Sequence, residues 1–86
     1  MKTYVVELGF STDFYPPLTK EQVVELHTQN LFQPLRSMSK NMENELRIIE
    51  ELNLIGSVII EASEKTAKAI RGAGFTVHLN SIKKAL

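Results

Sequence analysis

No cysteine and no tryptophan occur in this 86-residue chain. The first absence excludes a disulfide scaffold and any thiolate metal site. A chain this short buries only about 60–65% of the surface its unfolded form exposes. With no staple through sulfur, stability has to come from a well-packed core. Long apolar runs are missing too, and nothing approaches the ~18 consecutive apolar residues of a membrane span. The N-terminal run Tyr4 to Val6 is cut by Glu7, which is too short for the apolar region of a signal peptide. These absences lead to the expectation of one cytoplasmic domain, residues 1–86, with no membrane association.

Net charge is also lacking, since ten Lys/Arg balance ten Asp/Glu. The balance conceals an asymmetry. Residues 1–62 hold five Lys/Arg against nine Asp/Glu, and residues 63–86 hold five against one. A basic C-terminal quarter of this kind either marks a contact surface or is an ordinary solvated helix face with a charged tail. Hydrophobic residues at 43% are normal for a globular protein and exclude a disordered chain.

The elements follow from periodicity. Thr3 to Leu8 alternates and is rich in β-branched residues, which predicts a strand with Tyr4, Val6 and Leu8 inward and Thr3, Val5 and Glu7 outward. Gly9 to Leu18, with Pro16-Pro17, reads as a loop. Thr19 and Gln22 form a capping box ahead of a helix carrying Val23, Val24, Leu26, His27 and Leu31. That helix is expected to stop before Pro34, which has no amide to donate. Over 35–53 the apolar spacing favours a short helix near 35–42 and an edge strand near 46–53, with one continuous helix as the alternative. Ser57 to Ala62 reads as a strand with Val58, Ile60 and Ala62 inward. Ser63 caps a helix to about Arg71, ended by Gly72 and Gly74. Phe75, Val77 and Leu79 then line the inner face of a last strand.

The order strand–helix–strand–strand–helix–strand describes an α+β, ferredoxin-like βαββαβ sandwich. Right-handed crossovers put the first and third strands in the centre. Two main helices, with the short one near 35–42, would cover one face of the antiparallel sheet and leave the other open.

Chemistry has little to work with. The two imidazoles, His27 on the first helix and His78 on the outer face of the last strand, fall on opposite sides of such a sheet. Glu7 and Glu61 both face outward, but from opposite ends of antiparallel neighbours, too far apart to share a proton. No metal-ligand spacing is present, and Gly72-Ala73-Gly74 follows a helix rather than opening one, which reads as helix termination. No catalytic residue, metal or cofactor is therefore expected. RNA binders of this fold stack bases on aromatics of the central strands, whereas the outward residues here are Thr3, Val5, Glu7, Ser57, Ile59 and Glu61. Nucleic acid remains only as a nonspecific ligand of Lys65, Lys68, Arg71, Lys83 and Lys84. The open face itself carries an apolar centre at Val5 and Ile59, with Ile49 beside it, inside a polar rim that includes Glu7, Glu61 and His78. That is the anatomy of a protein interface, with self-association through the same face as a second reading.

The run Ile48-Ile49-Glu50-Glu51-Leu52-Asn53-Leu54-Ile55-Gly56-Ser57-Val58-Ile59-Ile60, the Lys-containing helix after it, Gly74 and the strand Phe75 to Leu79 resemble the subtilisin propeptide-like proteinase inhibitor family. Lys2 to Leu8 is similar to that family's first strand. The resemblance implies a protease inhibitor or propeptide-like chaperone, a βαββαβ sandwich whose open face packs on surface helices of a subtilisin-type protease. It also implies that Ser81 to Leu86 would enter the substrate cleft, with Lys83 and Lys84 in the tail and Leu86 offered to the primary specificity pocket.

Overall fold

Alternating β-branched and aromatic residues make the strands, and the parity of each strand decides what is buried. The computed structural model describes residues 1–9, 16–53 and 55–80. Most of the expected loop, residues 10–15, and the expected tail, Ser81 to Leu86, lie outside them. Strands β1 (Lys2–Glu7), β2 (Leu46–Leu52), β3 (Ser57–Ala62) and β4 (Thr76–Leu79) form one antiparallel sheet in the order β2-β3-β1-β4. The first and third strands are central. Tyr4 lies opposite Ile60, and Val6 opposite both Val58 and Val77; all five are buried.

Helix α1 (Lys20–His27) opens on the capping box: Thr19 Oγ1 accepts from the Gln22 amide at 3.2 Å, and Gln22 Oε1 accepts from the Thr19 amide at 2.9 Å. The expected stop before Pro34 does not occur. A π-helical segment, Thr28–Phe32, leads without a break into α2 (Gln33–Asn41). In an uninterrupted α-helix the Pro34 ring would meet the carbonyl four residues back. Here the Gln33 amide reaches the Thr28 carbonyl, five residues back, so the ladder shifts before the ring arrives. Pro34 then falls in the first turn of α2, where its missing amide costs nothing. Side chains supply donors where the ladder changes: Thr28 Oγ1 donates to the Val24 carbonyl at 2.8 Å and Asn30 Nδ2 to the Leu26 carbonyl at 2.9 Å.

The π turn also sets the core. Leu31, Phe32 and Leu35 are fully buried and form one cluster with Leu46, Val58, Ile60 and Ala62 of the sheet. Helix α3 (Glu64–Gly72), capped by Ser63 Oγ on the Thr66 amide at 3.2 Å, adds Ala67 and Ile70 to the same cluster. All this apolar cover sits on one side of the sheet. The chain is thus α+β, with a four-stranded antiparallel sheet and helices against one face. The segment 35–53 resolves into the short α2 and the edge strand β2 rather than one helix.

His27 is a structural residue. It is 5% exposed, its ring centroid lies 6.5 Å from that of Phe32, and Nδ1–H donates to the Asn53 carbonyl at 2.7 Å. Gly56, in the turn before β3, has φ +76°, and a Cβ there would stand 2.5 Å from His27 Nε2. The ring therefore holds the β2–β3 connection to α1, and only glycine permits the approach.

Two expectations need correction. Leu79 lies opposite inward-facing Tyr4 but is 60% exposed, at the end of the edge strand, where it lines an open groove beside α3. Thr3 and Ser57 face outward as expected but are only 8% and 4% exposed. Phe32→Ala is expected to cost about 3–5 kcal/mol, whereas Leu79→Ala stays within about 0.5 kcal/mol; urea unfolding of both variants checks the contrast. Gly56→Ala combines a left-handed backbone with the His27 clash and is expected to cost at least about 2 kcal/mol by the same measurement.

Candidate interaction face

The side of the sheet away from the helices is built in three rows across the strands. In the middle row His78 lies opposite Val5, Val5 opposite Ile59, and Ile59 opposite Glu50. In the second row Thr76 lies opposite Glu7, Glu7 opposite Ser57, and Ser57 opposite Leu52. In the third Thr3 lies opposite Glu61, and Glu61 opposite Arg47. Residues directly opposite in antiparallel strands share a face, so Val5, Glu7, Ile59, Glu61 and His78 come together as the sequence implied.

Two members of this face were not legible in the sequence. A bulge in β2 makes Ile48 pair with Ile60 and Glu50 with Ile59, leaving Ile49 as the extra residue, 49% exposed. An inserted residue reverses the alternation that follows it. Leu52, which would share the inner face with Ile48 in a regular strand, is turned outward. Glu51 is turned inward instead, toward α2, where Arg36 Nε and Nη2 donate to its two oxygens at 2.7 and 2.5 Å. That hydrogen bonding raises the affinity of the Arg36 guanidinium for its proton. Arg47, the other addition, lies 3.3 Å from Glu61.

The result is an apolar centre of Val5 and Ile59, half-buried, with Glu50 in the same row, Ile49 at the bulge beside it, and Leu52 at the β2 end of the row that holds Ser57 and Glu7. At one end of the face Arg47 meets Glu61. At the other, Ser57 Oγ donates to Glu7 Oε2 at 3.2 Å, and His78 Nε2 lies 3.9 Å from Glu7 Oε1. Serine, glutamate and histidine are neighbours there, but the carboxylate stands between the hydroxyl and the imidazole. An acyl-transfer triad needs the imidazole on the hydroxyl proton and the carboxylate behind it. This order ties β3, β1 and β4 together along their polar rim. Glu7 and Glu61 are four residues apart along the strands, roughly 13 Å, and act independently.

His27 belongs to the opposite side of the sheet, as described above. Among the described residues no group of three or more His, Asp or Glu is gathered as a metal site, and no described helix is long and apolar enough to cross a membrane. The described residues on the outward side of β1 and β3 include no aromatic. The basic residues Lys65, Lys68 and Arg71 are exposed on α3. Nearby, Lys2 Nζ and Glu64 Oε1 are 2.7 Å apart. Their hydrogen bond, with the accompanying charge attraction, raises the Lys2 ammonium and lowers the Glu64 carboxyl from their usual values. What this pair contributes is present between those two values, and is lost as pH falls through the Glu64 value or rises through that of Lys2. Both groups are open to water, so the contribution is small. Lys83, Lys84 and Leu86 lie outside the described residues.

No protein-family model, curated protein or solved structure matches the chain.

The Arg47–Glu61 pair is a rim contact, with the guanidinium largely in water. Arg47→Ala is accordingly expected to change unfolding free energy by less than about 1 kcal/mol in a urea titration. A loss of several kcal/mol would make it part of the fold instead.

Proposed function

We propose that this chain is a non-enzymatic protein-binding module of the cytoplasm, ferredoxin-like in architecture, and that the uncovered face of its sheet is the contact surface. The strand order β2-β3-β1-β4, all neighbours antiparallel, supports the ferredoxin-like reading. The observation that carries the functional reading is the apolar centre of Val5 and Ile59, with Ile49 and Leu52 toward β2, set among Glu50, Glu7, Ser57, Arg47 and Glu61 and covered by none of the described helices. An apolar centre with a polar rim is how protein interfaces are made. No cofactor enters the proposal.

The partner we propose is a subtilisin-type serine protease. A four-stranded face about six residues long presents on the order of 400 Å². A stable interface of standard size needs about 800 Å² from each partner. The face alone would hold a partner weakly, and a second element is required. Ser81 to Leu86 would supply it by entering the substrate cleft as a product-like segment, with Lys83 and Lys84 along the cleft and Leu86 in the primary specificity pocket. Affinity would then come from two contacts on one scaffold, the second made at the effective concentration set by the first.

The experiment is an inhibition assay against a panel of subtilisin-type proteases, using the full chain, the chain lacking residues 81–86, Val5→Glu and Ile59→Lys. The full chain is expected to inhibit, and each face variant to raise Ki at least about tenfold, the effect of burying an unpaired charge. Removal of the last six residues is expected to abolish inhibition while leaving weak binding. Absence of inhibition across the panel would remove the protease from the proposal. Inhibition that both face variants retain in full would remove the face. Light scattering of the same proteins tests the competing occupant: a wild-type dimer that Val5→Glu dissociates assigns the face to a second copy.

A further inference from the structure

A second surface lies on the helix side of the molecule, at the edge of β4 that no described strand pairs. This strand is last in the sheet, four residues long, unbulged, and without lysine, glutamate or proline. Such an edge offers its backbone to an added strand unless something blunts it. The direction of its hydrogen bonds can be read from β1. The Asn80 amide donates to the Thr3 carbonyl at 2.8 Å, and the two residues are opposite in register. In an antiparallel pair the backbone groups alternate between facing the neighbour and facing away. Thr76 and His78 therefore share the orientation of Asn80, toward β1, and the amides and carbonyls of Val77 and Leu79 point to the open edge. One of them is taken: Arg71 Nη2 donates to the Val77 carbonyl at 2.9 Å.

Above this edge lies a groove of about 320 Å³ between α3 and the sheet. Its floor is Tyr4, Ala67 and the exposed Leu79, and its wall carries Lys68 and Arg71. Lys2 and Glu64 also line it but neutralise each other at 2.7 Å. The groove is thus apolar at the bottom and cationic along the helix.

We infer that this edge of β4 binds an extended acidic peptide segment of another protein as a fifth strand. Its backbone pairs with Val77 and Leu79. An aliphatic side chain on its inner side covers Leu79, and a carboxylate beside it meets Lys68 and Arg71. The Arg71 contact is the switch in this arrangement. A carboxylate is a stronger acceptor for a guanidinium than a backbone carbonyl, because both partners are charged. Arg71 can therefore turn to the peptide and release the Val77 carbonyl to accept from the added strand. Strand addition gives affinity through the backbone and selects partners through alternate side chains; here the selection is for negative charge.

The test uses the full chain, labelled with nitrogen-15, and a blocked heptapeptide of alternating valine and threonine flanked by aspartates. A second peptide carries lysines in place of the aspartates. Saturable amide shifts are expected at Val77 and Leu79, with a Kd that Lys68→Glu and Arg71→Glu each raise at least tenfold. The lysine peptide is expected to bind at least tenfold more weakly. Lys68 is exposed on α3 and gives no hydrogen bond to Val77, so its variant remains informative if Arg71→Glu unfolds. Absence of shifts at Val77 and Leu79 at millimolar peptide, equal affinity for the two peptides, or shifts centred on Val5 and Ile59 would each overturn the inference.

Discussion

This molecule is organised around a sheet whose described helices all pack on one side. The described residues of this short chain provide one four-stranded sheet and one layer of helices. Each fully buried aliphatic or aromatic side chain contributes roughly 1.5–3 kcal/mol relative to leaving it exposed, so those under the helix layer carry the fold. Val6, Val58, Ile60 and Val77 occupy that side, against Phe32, Leu35, Ala67 and Ile70. The pleat then leaves Val5 and Ile59 no choice. Burying their neighbours on the inside turns them out, and the same alternation that stabilises the core builds the apolar centre of the opposite face.

The helix layer reaches this coverage by an irregular route. A regular helix from Lys20 to Asn41 would be broken at Pro34, and a break would separate Leu31 and Phe32 from Leu35. The π turn keeps them in one path and places His27 over Phe32. Through its bond to the Asn53 carbonyl, His27 then anchors the connection between β2 and β3. The strands that carry Ile49, Leu52 and Ile59 are held in place by a histidine buried on the far side of the sheet. In this way a polar group buried in the core fixes the geometry of a surface.

Strand parity was readable from the sequence wherever a strand is regular. Thr3 to Glu7 and Ser57 to Ala62 alternate cleanly, and their inward and outward sets were identifiable from the residues. The Thr19–Gln22 capping box was equally plain, because its hydrogen bonds are local. Three features were not legible. The bulge after Ile48 has no composition signature, and it alone decides that Leu52 faces outward and Glu51 inward. The passage through Pro34 depends on a tertiary demand, the burial of Leu31, Phe32 and Leu35 together, which outweighs the local preference for a stop. The exposure of Leu79 comes with its place at the end of the edge strand, beside an open groove, which periodicity does not encode. The outer face was therefore recognisable in its centre, Val5 and Ile59, and incomplete at its β2 side, where Arg47 and Leu52 join it.

The most direct measurement is methyl relaxation of the free chain in the presence of a soluble paramagnetic agent that cannot enter the core. One-sided cover predicts strong broadening of the Val5, Ile49 and Ile59 methyls and protection of those of Val6, Val58 and Ile60. Equal protection of Val5 and Ile59 with Val6 and Ile60 would mean that the chain covers both sides of its sheet, and would contradict the account.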